Sequence, residues 1–317
     1  MNSPRPMPLP VIAHSYGDEV SVRIREAFPD AVLRVLPEVA WKSDLGDATV
    51  LLARPGRTWK DAPPGFPPGW EGRLDWVQVP GAGIDGYPSW LRSVPRLTTG
   101  LGINSAPVAE FVMASMLAHE KRFPQSWVKT RDDWRVMALG TLEGRTLGLA
   151  GFGGIGEIVA RHALGFGMKV LAVRRSRQPL PAGVSRASGL EELVAEADHL
   201  VIALPSLPDT RGMFSAALLQ KLKPGSHLVN VSRGDVIDQD ALLQLLDTGI
   251  LAAASLDVTS PEPLPAGHAL YSHPKVRLTP HSAFSSQNTE ANLVNRFLQN
   301  LDRYVKGEPM IAEFRQA

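Results

Sequence analysis

The sequence predicts an α/β protein of two domains, one of which contains a doubly wound parallel sheet. The chain has 317 residues, which is enough for about two domains of ordinary size. From Thr146 to His281 short apolar runs alternate with helical runs, as in a parallel sheet with helical crossovers. A second βαβ rhythm begins at Val11, so the chain carries the pattern of two parallel sheets.

The elements follow from this alternation. In the first part of the chain a helix is predicted at 18–28, and the predicted strands are Val11–His14, Ala31–Leu36, Thr49–Ala53 and Leu74–Val79. The proline-rich loop Trp59–Trp70 is predicted to be an irregular surface segment. Six strands are predicted for the central sheet: Thr146–Ala150, Lys169–Val173, His199–Ala203, His227–Val231, Ala252–Leu256 and Val276–Leu278.

A helix with one apolar side is predicted for 286–306, close to the end of the chain. Both chain ends are therefore expected to build one domain around an inserted one. We place the boundaries at 1–104 for the first part of the outer domain, 105–284 for the inserted domain that carries the central sheet and 285–317 for the return of the chain to the outer domain.

Composition excludes several classes of protein. Lys and Arg exceed Asp and Glu by one charge, which argues against a nucleic-acid or polybasic membrane partner. The chain has no cysteine, so disulfides and thiolate metal sites are excluded, and no metal is expected. No apolar run is long enough for a membrane span, and Met1–Pro10 holds four prolines and no apolar signal-peptide core. A cytoplasmic location is the expectation.

A glycine-rich segment follows the first strand of the predicted central sheet. Gly151-Phe-Gly-Gly-Ile-Gly156 matches the G-x-G-x-x-G pattern and opens a helical run, the context in which that pattern binds dinucleotides. One glycine permits the tight turn, one lets a pyrophosphate approach the backbone, and one lets the helix pack closely. The helix N-terminus then binds phosphate oxygens. The predicted contacts are Gly151, Gly153, Gly154, Ile155 and Gly156.

The end of the next predicted strand indicates which dinucleotide is bound. NAD sites usually carry an acidic residue there for the ribose 2′-hydroxyl. Here Arg174 takes that position, followed by Arg175, Ser176 and Arg177, and no Asp or Glu occurs between 170 and 190. Guanidinium groups bind a 2′-phosphate that a carboxylate would repel. We predict NADP, with contacts from Arg174, Arg175 and Ser176, and NAD as the alternative.

Three segments that follow predicted strands contain Arg233, Glu262 and His281. Carboxyl ends of parallel strands meet at one edge of the sheet, where ligands bind. Reduction of a keto acid needs a cation for the carboxylate and an acid for the carbonyl oxygen, and a carboxylate beside a histidine orients it. We predict these three as the catalytic residues. The remaining histidines are expected to be structural or exposed: His14, His119, His162, His199, His227, His268 and His273.

Several motifs between residues 75 and 305 together resemble the D-isomer-specific 2-hydroxyacid dehydrogenase family. They are Gly81-Ala-Gly-Ile-Asp85, Ala106-Pro-Val-Ala-Glu110, Leu142-Glu-Gly-Arg-Thr-Leu-Gly148, the glycine loop, Lys223-Pro-Gly225 and the three catalytic segments. The resemblance implies a Rossmann-type sheet inserted into a smaller, flavodoxin-like α/β substrate domain. Residues 1–70 match the family least.

The same resemblance implies roles for individual residues. Arg233 would bind the substrate carboxylate and carbonyl, His281 would donate the proton, and Glu262 would be its partner. Backbone N–H groups of Ala82 and Gly83 would hold the substrate carboxylate. Further cofactor contacts are expected at Leu204, Pro205, Val231, Ser232, Arg233 and Asp257, the last beside the nicotinamide.

Within the family the chain is most similar to NADPH-dependent glyoxylate/hydroxypyruvate reductases. That similarity implies reduction of a small 2-oxoacid to the D-2-hydroxyacid. Two alternatives remain open: a dehydrogenase of formate or phosphite type, and a non-catalytic, nucleotide-sensing co-repressor-like binding protein. Turnover of any 2-oxoacid with NADPH would favour the enzyme.

The helical run Pro107–His119 is predicted to make a homodimer. Its apolar residues cover more of the helix than one core face requires. By resemblance, this helix is buried against a two-fold mate. The residues concerned are Val108, Phe111, Val112, Met113, Met116 and Leu117.

Overall fold

The computed structural model describes residues 9–205 and 207–314. The first eight residues of the proline-rich N-terminal segment lie outside the described residues. The chain divides into two compact units. We call Met1–Asn104 with Ser286–Ala317 the terminal unit, and Ser105–Ser285 the central unit. The domain boundaries expected from the sequence stay a prediction about how the protein is organised.

The described part of the chain contains twelve β-strands and eight α-helices. The strands are β1 (Val11–His14), β2 (Val32–Val35), β3 (Val50–Leu52), β4 (Trp76–Gln78), β5 (Arg96–Thr98), β6 (Thr146–Ala150), β7 (Lys169–Val173), β8 (Val184–Arg186), β9 (His199–Ile202), β10 (Ser226–Asn230), β11 (Leu251–Leu256) and β12 (Val276–Leu278). The helices are α1 (Asp18–Ala27), α2 (Ser105–Glu120), α3 (Gly154–Gly165), α4 (Leu190–Glu196), α5 (Ala216–Leu219), α6 (Gln239–Thr248), α7 (Ala269–Ser272) and α8 (Thr289–Lys306).

The terminal unit contains a five-stranded parallel sheet in the order β2-β1-β3-β4-β5. This is the flavodoxin-like order, as expected from the sequence. The direction of winding reverses between β1 and β3, whose carboxyl ends therefore flank the topological switch point. The strand Arg96–Thr98 was not predicted, because its residues, Arg-Leu-Thr, form no apolar run.

One face of the terminal sheet packs against its two helices. Buried residues of α1 and α8, among them Ile24, Phe297 and Leu301, form one cluster with Ile12 and Trp76. Helix α8 presents a single apolar side because its buried residues recur at the helical period. The unit's core therefore uses residues from both ends of the chain.

The other face is covered by the loop that was predicted to lie on the surface, and that prediction is wrong for its tryptophans. Trp59 and Trp70 are 3% and 0% exposed. Their indole rings meet edge to face with 6.2 Å between ring centroids, and both rings contact Trp90. Each indole N–H donates to a backbone carbonyl, so these large side chains are buried without loss of a hydrogen bond.

The central unit contains a seven-stranded parallel sheet in the order β12-β11-β10-β9-β6-β7-β8. Its first six strands in chain order follow the doubly wound order 3-2-1-4-5-6, with the switch point between β6 and β9. The Rossmann-type prediction is confirmed, but the strand number is seven rather than six. The missing strand, β8, holds Val-Ser-Arg and pairs only with β7 at the sheet edge, so it shows no apolar run.

A cluster of histidines is buried where β9 and β10 begin. His199 Nδ1 lies 3.2 Å from His227 Nδ1, and its Nε2 lies 3.1 Å from the Glu120 carboxylate. The His119 ring stacks on His227 with 4.4 Å between ring centroids. Burial lowers the pKa of His119 to about 4 and that of His227 well below its usual value. His119 and His227 are therefore neutral in the folded protein at neutral pH.

We expect the free energy of unfolding to fall as the pH drops from about 6.5 toward 4. In the unfolded chain His119 and His227 have the usual histidine pKa, whereas in the folded protein their pKa is lowered. The unfolded chain therefore binds more protons as the pH falls, and acid favours unfolding. For His119 alone the loss is roughly 2–3 kcal/mol. His119→Phe keeps a ring on His227 and should flatten the dependence. Urea unfolding at several pH values measures it, and an equal slope in the variant would refute the explanation.

Candidate active site

The glycine loop adopts the conformation that its residue types require. Gly151 follows β6 with φ +102°, and a Cβ there would lie 2.5 Å from the Ala203 carbonyl oxygen. A Cβ on Gly156 would lie 2.6 Å from the carbonyl oxygen of Gly151. Only glycine fits both positions, because a side chain would collide with backbone that cannot yield. The turn thus places the start of α3 against the end of β6.

The same loop offers a binding surface for an anion. The residue before α3 is Gly153, where a Cβ would meet nothing within 4 Å. Within the described residues, no acceptor bonds the N–H groups of Gly153, Gly154 or Ile155. Unpaired N–H groups at a helix N-terminus attract phosphate oxygens. These residues fit the pyrophosphate of a dinucleotide.

The arginine turn after β7 is ordered by side chains. Arg174 is partly buried, its Nη2 donates to Gln178 Oε1 at 2.7 Å, and its guanidinium lies 5.9 Å from the centre of the Phe152 ring. Arg175 and Ser176 are exposed. The predicted residues therefore form an accessible basic turn beside the glycine loop.

One residue that holds this turn was not predicted from the sequence. Arg186, the last residue of β8, donates from Nη1 to the carbonyl oxygens of Arg174 and Ser176. Its Nη2 donates to the carbonyl oxygen of Gln178 at 2.6 Å. Arg186 therefore holds the arginine turn in place from β8, a strand whose sequence shows no apolar run. The only signal was a further arginine soon after the basic cluster.

Arg233 stands on a turn held by its neighbours. Asn230, at the end of β10, donates from Nδ2 to the Arg233 carbonyl oxygen and accepts from the backbone and hydroxyl of Ser232. The Arg233 side chain bonds the Ser232 carbonyl at 2.7 Å. A Cβ at Gly234 would overlap the backbone of Thr259, so this turn lies directly on the segment that leads to Glu262.

The remaining expected cofactor contacts lie at the same carboxyl edge. Leu204 and Pro205 follow β9, and Val231 and Ser232 follow β10. Because β9 is the neighbour of β6, Leu204 and Pro205 flank the switch point next to the glycine loop. Val231 and Ser232 lie one strand farther from it. Their binding role stays a prediction.

Asp257 is buried after β11, and its carboxylate holds the next loop. It accepts from the Thr279 hydroxyl at 2.7 Å, from the Ser282 N–H at 2.8 Å and from the Ala283 N–H at 3.0 Å. Its carbonyl oxygen accepts from the His281 N–H at 2.8 Å. The sequence indicated Asp257 only as a cofactor contact, whereas the structure shows that it positions the loop carrying His281.

His281 and Glu262 form a pair. Nδ1 of His281 lies 3.0 Å from Oε2 of Glu262, and the two side chains are 37% and 41% exposed. His281 has φ +52°, which lies in the left-handed region that residues other than glycine rarely adopt. The bonds to Asp257 maintain this conformation. With Nδ1 facing a carboxylate, Nε2 is the nitrogen left to exchange a proton.

Ala82 and Gly83 lie in the terminal unit, on the loop that follows β4 at the carboxyl edge of that sheet. Ala82 is exposed and Gly83 partly so. No acceptor in residues 9–205 or 207–314 bonds either N–H group. Two adjacent unpaired N–H groups are suited to an oxyanion.

The central unit thus has the loop, helix start and strand-end residues of a dinucleotide-binding domain, with a histidine–carboxylate pair at the same edge. Within the described residues no helix is long and apolar enough to cross a membrane. Nor do those residues hold a cluster of three or more side chains suited to a metal ion. A doubly wound sheet with these residues at its carboxyl edge is typical of a dinucleotide-dependent enzyme.

Comparisons with known proteins identify the family. The sequence profile described as "D-isomer specific 2-hydroxyacid dehydrogenase, NAD binding domain" matches residues 113–283. Glyoxylate/hydroxypyruvate reductase A of Serratia proteamaculans is 35% identical over 227 residues, 67% of this chain and 71% of that protein. Glyoxylate reductase of Korarchaeum cryptofilum is 35% identical over 222 residues, 67% of each.

Among solved structures, the NADPH-dependent glyoxylate/hydroxypyruvate reductase of Sinorhizobium meliloti, in complex with NADP and sulfate, has a TM-score of 0.79. It is 28% identical, and the match covers 97% of this chain and 98% of that one. The chain belongs to the D-isomer-specific 2-hydroxyacid dehydrogenase family. It is an NAD(P)-dependent oxidoreductase with a general 2-hydroxyacid dehydrogenase function.

Proposed function

We propose that the protein reduces a small 2-oxoacid of glyoxylate or hydroxypyruvate type to the D-2-hydroxyacid, using NADPH. The observation that carries the proposal is the His281–Glu262 pair, at 3.0 Å, on the edge of the sheet that also bears the glycine loop. The relatives named glyoxylate reductase support the substrate class.

In the proposed reaction, different residues of the chain bind the substrate and donate the proton. Backbone N–H groups of Ala82 and Gly83 bind the substrate carboxylate, and Arg233 binds the carboxylate and the carbonyl oxygen. A reduced nicotinamide held at the glycine loop would supply the hydride that adds to the carbonyl carbon. As the carbonyl oxygen gains the electron pair of its double bond, His281 transfers the Nε2 proton to it. Glu262 orients the ring by accepting a hydrogen bond from Nδ1.

Three observations support NADPH as the reductant. No acidic residue occurs between 170 and 190, where an NAD site would place one. Arg174 and Arg175 stand at the end of β7 beside the glycine loop. The Sinorhizobium meliloti reductase of similar structure is described as NADPH-dependent.

A spectrophotometric assay tests the proposal. NADPH oxidation is followed at 340 nm, the reduced-nicotinamide absorption band, with glyoxylate, hydroxypyruvate and phenylpyruvate, and the product's configuration is determined by chiral chromatography. We expect the protein to reduce both small acids. For hydroxypyruvate the product should be the D-enantiomer, whereas the product of glyoxylate is achiral, so only its rate is measured. Absence of turnover with every 2-oxoacid would refute the reductase function and favour a nucleotide-sensing role.

We expect Arg233→Lys to raise the KM for the 2-oxoacid by about 10- to 100-fold, the loss of one or two charge-assisted hydrogen bonds. An ammonium group cannot reproduce the planar fork that binds a carboxylate through two nitrogens. Steady-state kinetics measures the effect. Arg211→Lys, at an exposed arginine paired with Asp235, is the control and should leave KM unchanged. An unaltered KM in Arg233→Lys would contradict the assignment.

We also propose a homodimer, but on a different surface from the one predicted. Four of the six apolar residues of α2 are buried in the central unit's own core: Val108, Val112, Met113 and Met116. The two ends of the loop 121–140 lie together, because the Gly140 N–H donates to the Glu120 carbonyl oxygen. This loop carries six of the twelve exposed large apolar side chains of the described residues. They are Phe123, Trp127, Val128, Trp134, Val136 and Leu139.

This loop should pack on a second copy of the chain. Exposed apolar patches of this kind mark interaction surfaces, and long loops in compact proteins usually have a function. Trp134 and Val136 are 81% and 103% exposed, so replacing them costs the monomer no core packing.

Light scattering should give twice the chain mass of 34.3 kDa. The double variant Trp134→Ser with Val136→Ser should shift the mass toward that of the monomer, because it removes apolar area from the interface. A parent protein with the mass of one chain at micromolar concentration would exclude the dimer.

A further inference from the structure

The segment that carries Glu262 is poorly supported by packing. Residues 260–263 are all exposed, between the buried side chains of Thr259 and Leu264. Two of these four residues are prolines, which have no N–H group to donate, so the segment cannot form a continuous ladder of backbone hydrogen bonds. The position of the Glu262 carboxylate therefore depends on individual hydrogen bonds from other parts of the chain.

Gln239 supplies two such bonds. It is the first residue of α6, and its side-chain amide bonds both backbone groups of Ser260, two residues before Glu262. Nε2 of Gln239 donates to the Ser260 carbonyl oxygen at 2.5 Å, and Oε1 accepts from the Ser260 N–H at 2.9 Å. We call this pair of hydrogen bonds the Gln239 clamp.

An amide is the side chain that the clamp requires. The backbone of Ser260 offers one donor and one acceptor, and a glutamine amide presents one of each in a single plane. A glutamate at the same position would accept from the Ser260 N–H, but its second oxygen would face the Ser260 carbonyl oxygen. A carboxylate can therefore form only one of the two bonds.

Gln239 is itself held firmly. The Asp238 carboxylate caps α6 by accepting from the Ala241 N–H at 3.0 Å, and the Asp238 N–H donates to the Phe214 carbonyl oxygen at 3.1 Å. Leu242, on the first turn of the helix, is fully buried in the core of the central unit. The clamp therefore reaches the exposed segment from a well-packed helix start.

The same stretch of chain carries Arg233. Arg233 precedes Gln239 by six residues, and the backbone at Gly234 lies directly on that of Thr259, since a Cβ on this glycine would overlap it. The turn with Arg233 and the segment with Glu262 thus meet at Gly234 and are bonded by the clamp. The clamp fixes one of these two candidate site residues relative to the other.

We propose that Gln239 is a positioning residue for the Glu262–His281 pair. Its clamp on Ser260 holds the Glu262 carboxylate within hydrogen-bond distance of Nδ1 of His281. The inference rests on the proposed function, in which His281 donates the proton. Gln239 acts through Glu262 and contacts neither substrate nor cofactor, so its loss should slow the proton transfer without weakening the binding of either.

Gln239→Met tests the clamp, because methionine has a similar volume but can form neither bond. We expect kcat for the 2-oxoacid to fall by about 10-fold, within the roughly 100-fold that a displacement of about 1 Å can cost. The KM for the 2-oxoacid and the dissociation constant of NADPH should stay nearly the same. Gln239→Glu keeps the bond to the Ser260 N–H and should retain more activity than Gln239→Met. Steady-state kinetics and fluorescence titration measure these quantities.

A double-mutant cycle separates positioning from general stabilisation of the fold. In a Glu262→Ala background, Gln239→Met should lower kcat no further, because no carboxylate remains to be positioned. Gln244→Ala is the matched control, since Gln244 is an exposed glutamine of the same helix, and it should keep the kcat of the parent. An equal loss of kcat in both backgrounds, or no loss in Gln239→Met alone, would overturn the proposal.

A spectroscopic measurement decides the inference even if the parent reduces no 2-oxoacid. The ring Cε1–Hε1 resonance of His281 is assigned by its absence from the spectrum of His281→Gln at the same pH. Gln239→Met should shift this resonance in the same direction as Glu262→Ala, and Gln244→Ala should leave it in place. A parent without turnover that shows this shift refutes the reductase and supports the positioning role. A resonance that Gln239→Met does not move overturns the positioning role.

Discussion

Replacing His281 by Gln should lower kcat by about 10²–10⁴-fold, the usual contribution of general acid catalysis. His281, whose Nδ1 lies 3.0 Å from the Glu262 carboxylate, is the proton donor of the proposed reaction, and glutamine has no proton to give at neutral pH. The dissociation constant of NADPH should stay nearly the same, since the residue acts on the substrate's carbonyl oxygen. Steady-state kinetics and fluorescence titration of NADPH measure the two quantities.

Two further variants make the His281 result specific. His281→Asn tolerates the left-handed backbone at φ +52° and should be as inactive as the glutamine variant. His273→Gln is the matched control, since His273 Nε2 also faces a carboxylate, that of Asp247 at 3.3 Å, outside the proposed site. It should keep its activity. Retention of more than a tenth of kcat by His281→Gln would remove this residue from the proton-donor role.

The second large effect concerns the choice of cofactor. The parent protein should prefer NADPH to NADH by about 10- to 1,000-fold in kcat/KM, from two charge-assisted hydrogen bonds weakened by partial exposure. Arg174→Asp with Arg175→Ala should reverse the preference, because a carboxylate repels the 2′-phosphate and accepts from the ribose hydroxyls. The change should appear in the KM for each cofactor and leave kcat little affected.

The turn should survive these substitutions, because its carbonyl oxygens are held by Arg186 from β8 and not by the two arginines that are replaced. Salt should weaken the NADPH preference, since exposed charges are screened. Arg161→Ala, at an exposed position of α3, is the control. Equal use of NADH and NADPH by the parent would show that the basic cluster is only a solvated turn.

Features that depend on neighbouring residues could be predicted from the sequence alone. The doubly wound sheet follows from the alternation of apolar and helical runs, and most predicted strands are present within a few residues of their expected ends. The glycine loop could be predicted because each of its glycines is needed at a position where the local backbone leaves no space for a side chain or requires a tight turn. The candidates Arg233, Glu262 and His281 were found because each lies just after a strand, and strand ends meet at one edge.

Features made by residues distant in the chain were decided only by the tertiary structure. The short edge strands β5 and β8 form because the neighbouring strands β4 and β7 offer backbone groups for hydrogen bonds. Their own sequences show no strand pattern. Trp59 and Trp70 are buried because their rings pack on Trp90 and on each other. No local rule describes such contacts, since burial depends on what the rest of the chain places nearby.

The positioning residues belong to this second group. The Asp257 carboxylate holds the His281 loop across more than twenty residues of chain, and Arg186 closes the arginine turn from another strand. The fold class could therefore be predicted from the sequence, together with candidate residues for the chemistry. The tertiary structure decided which donors are already satisfied and which remain for a ligand, because hydrogen-bond satisfaction is a property of the assembled fold.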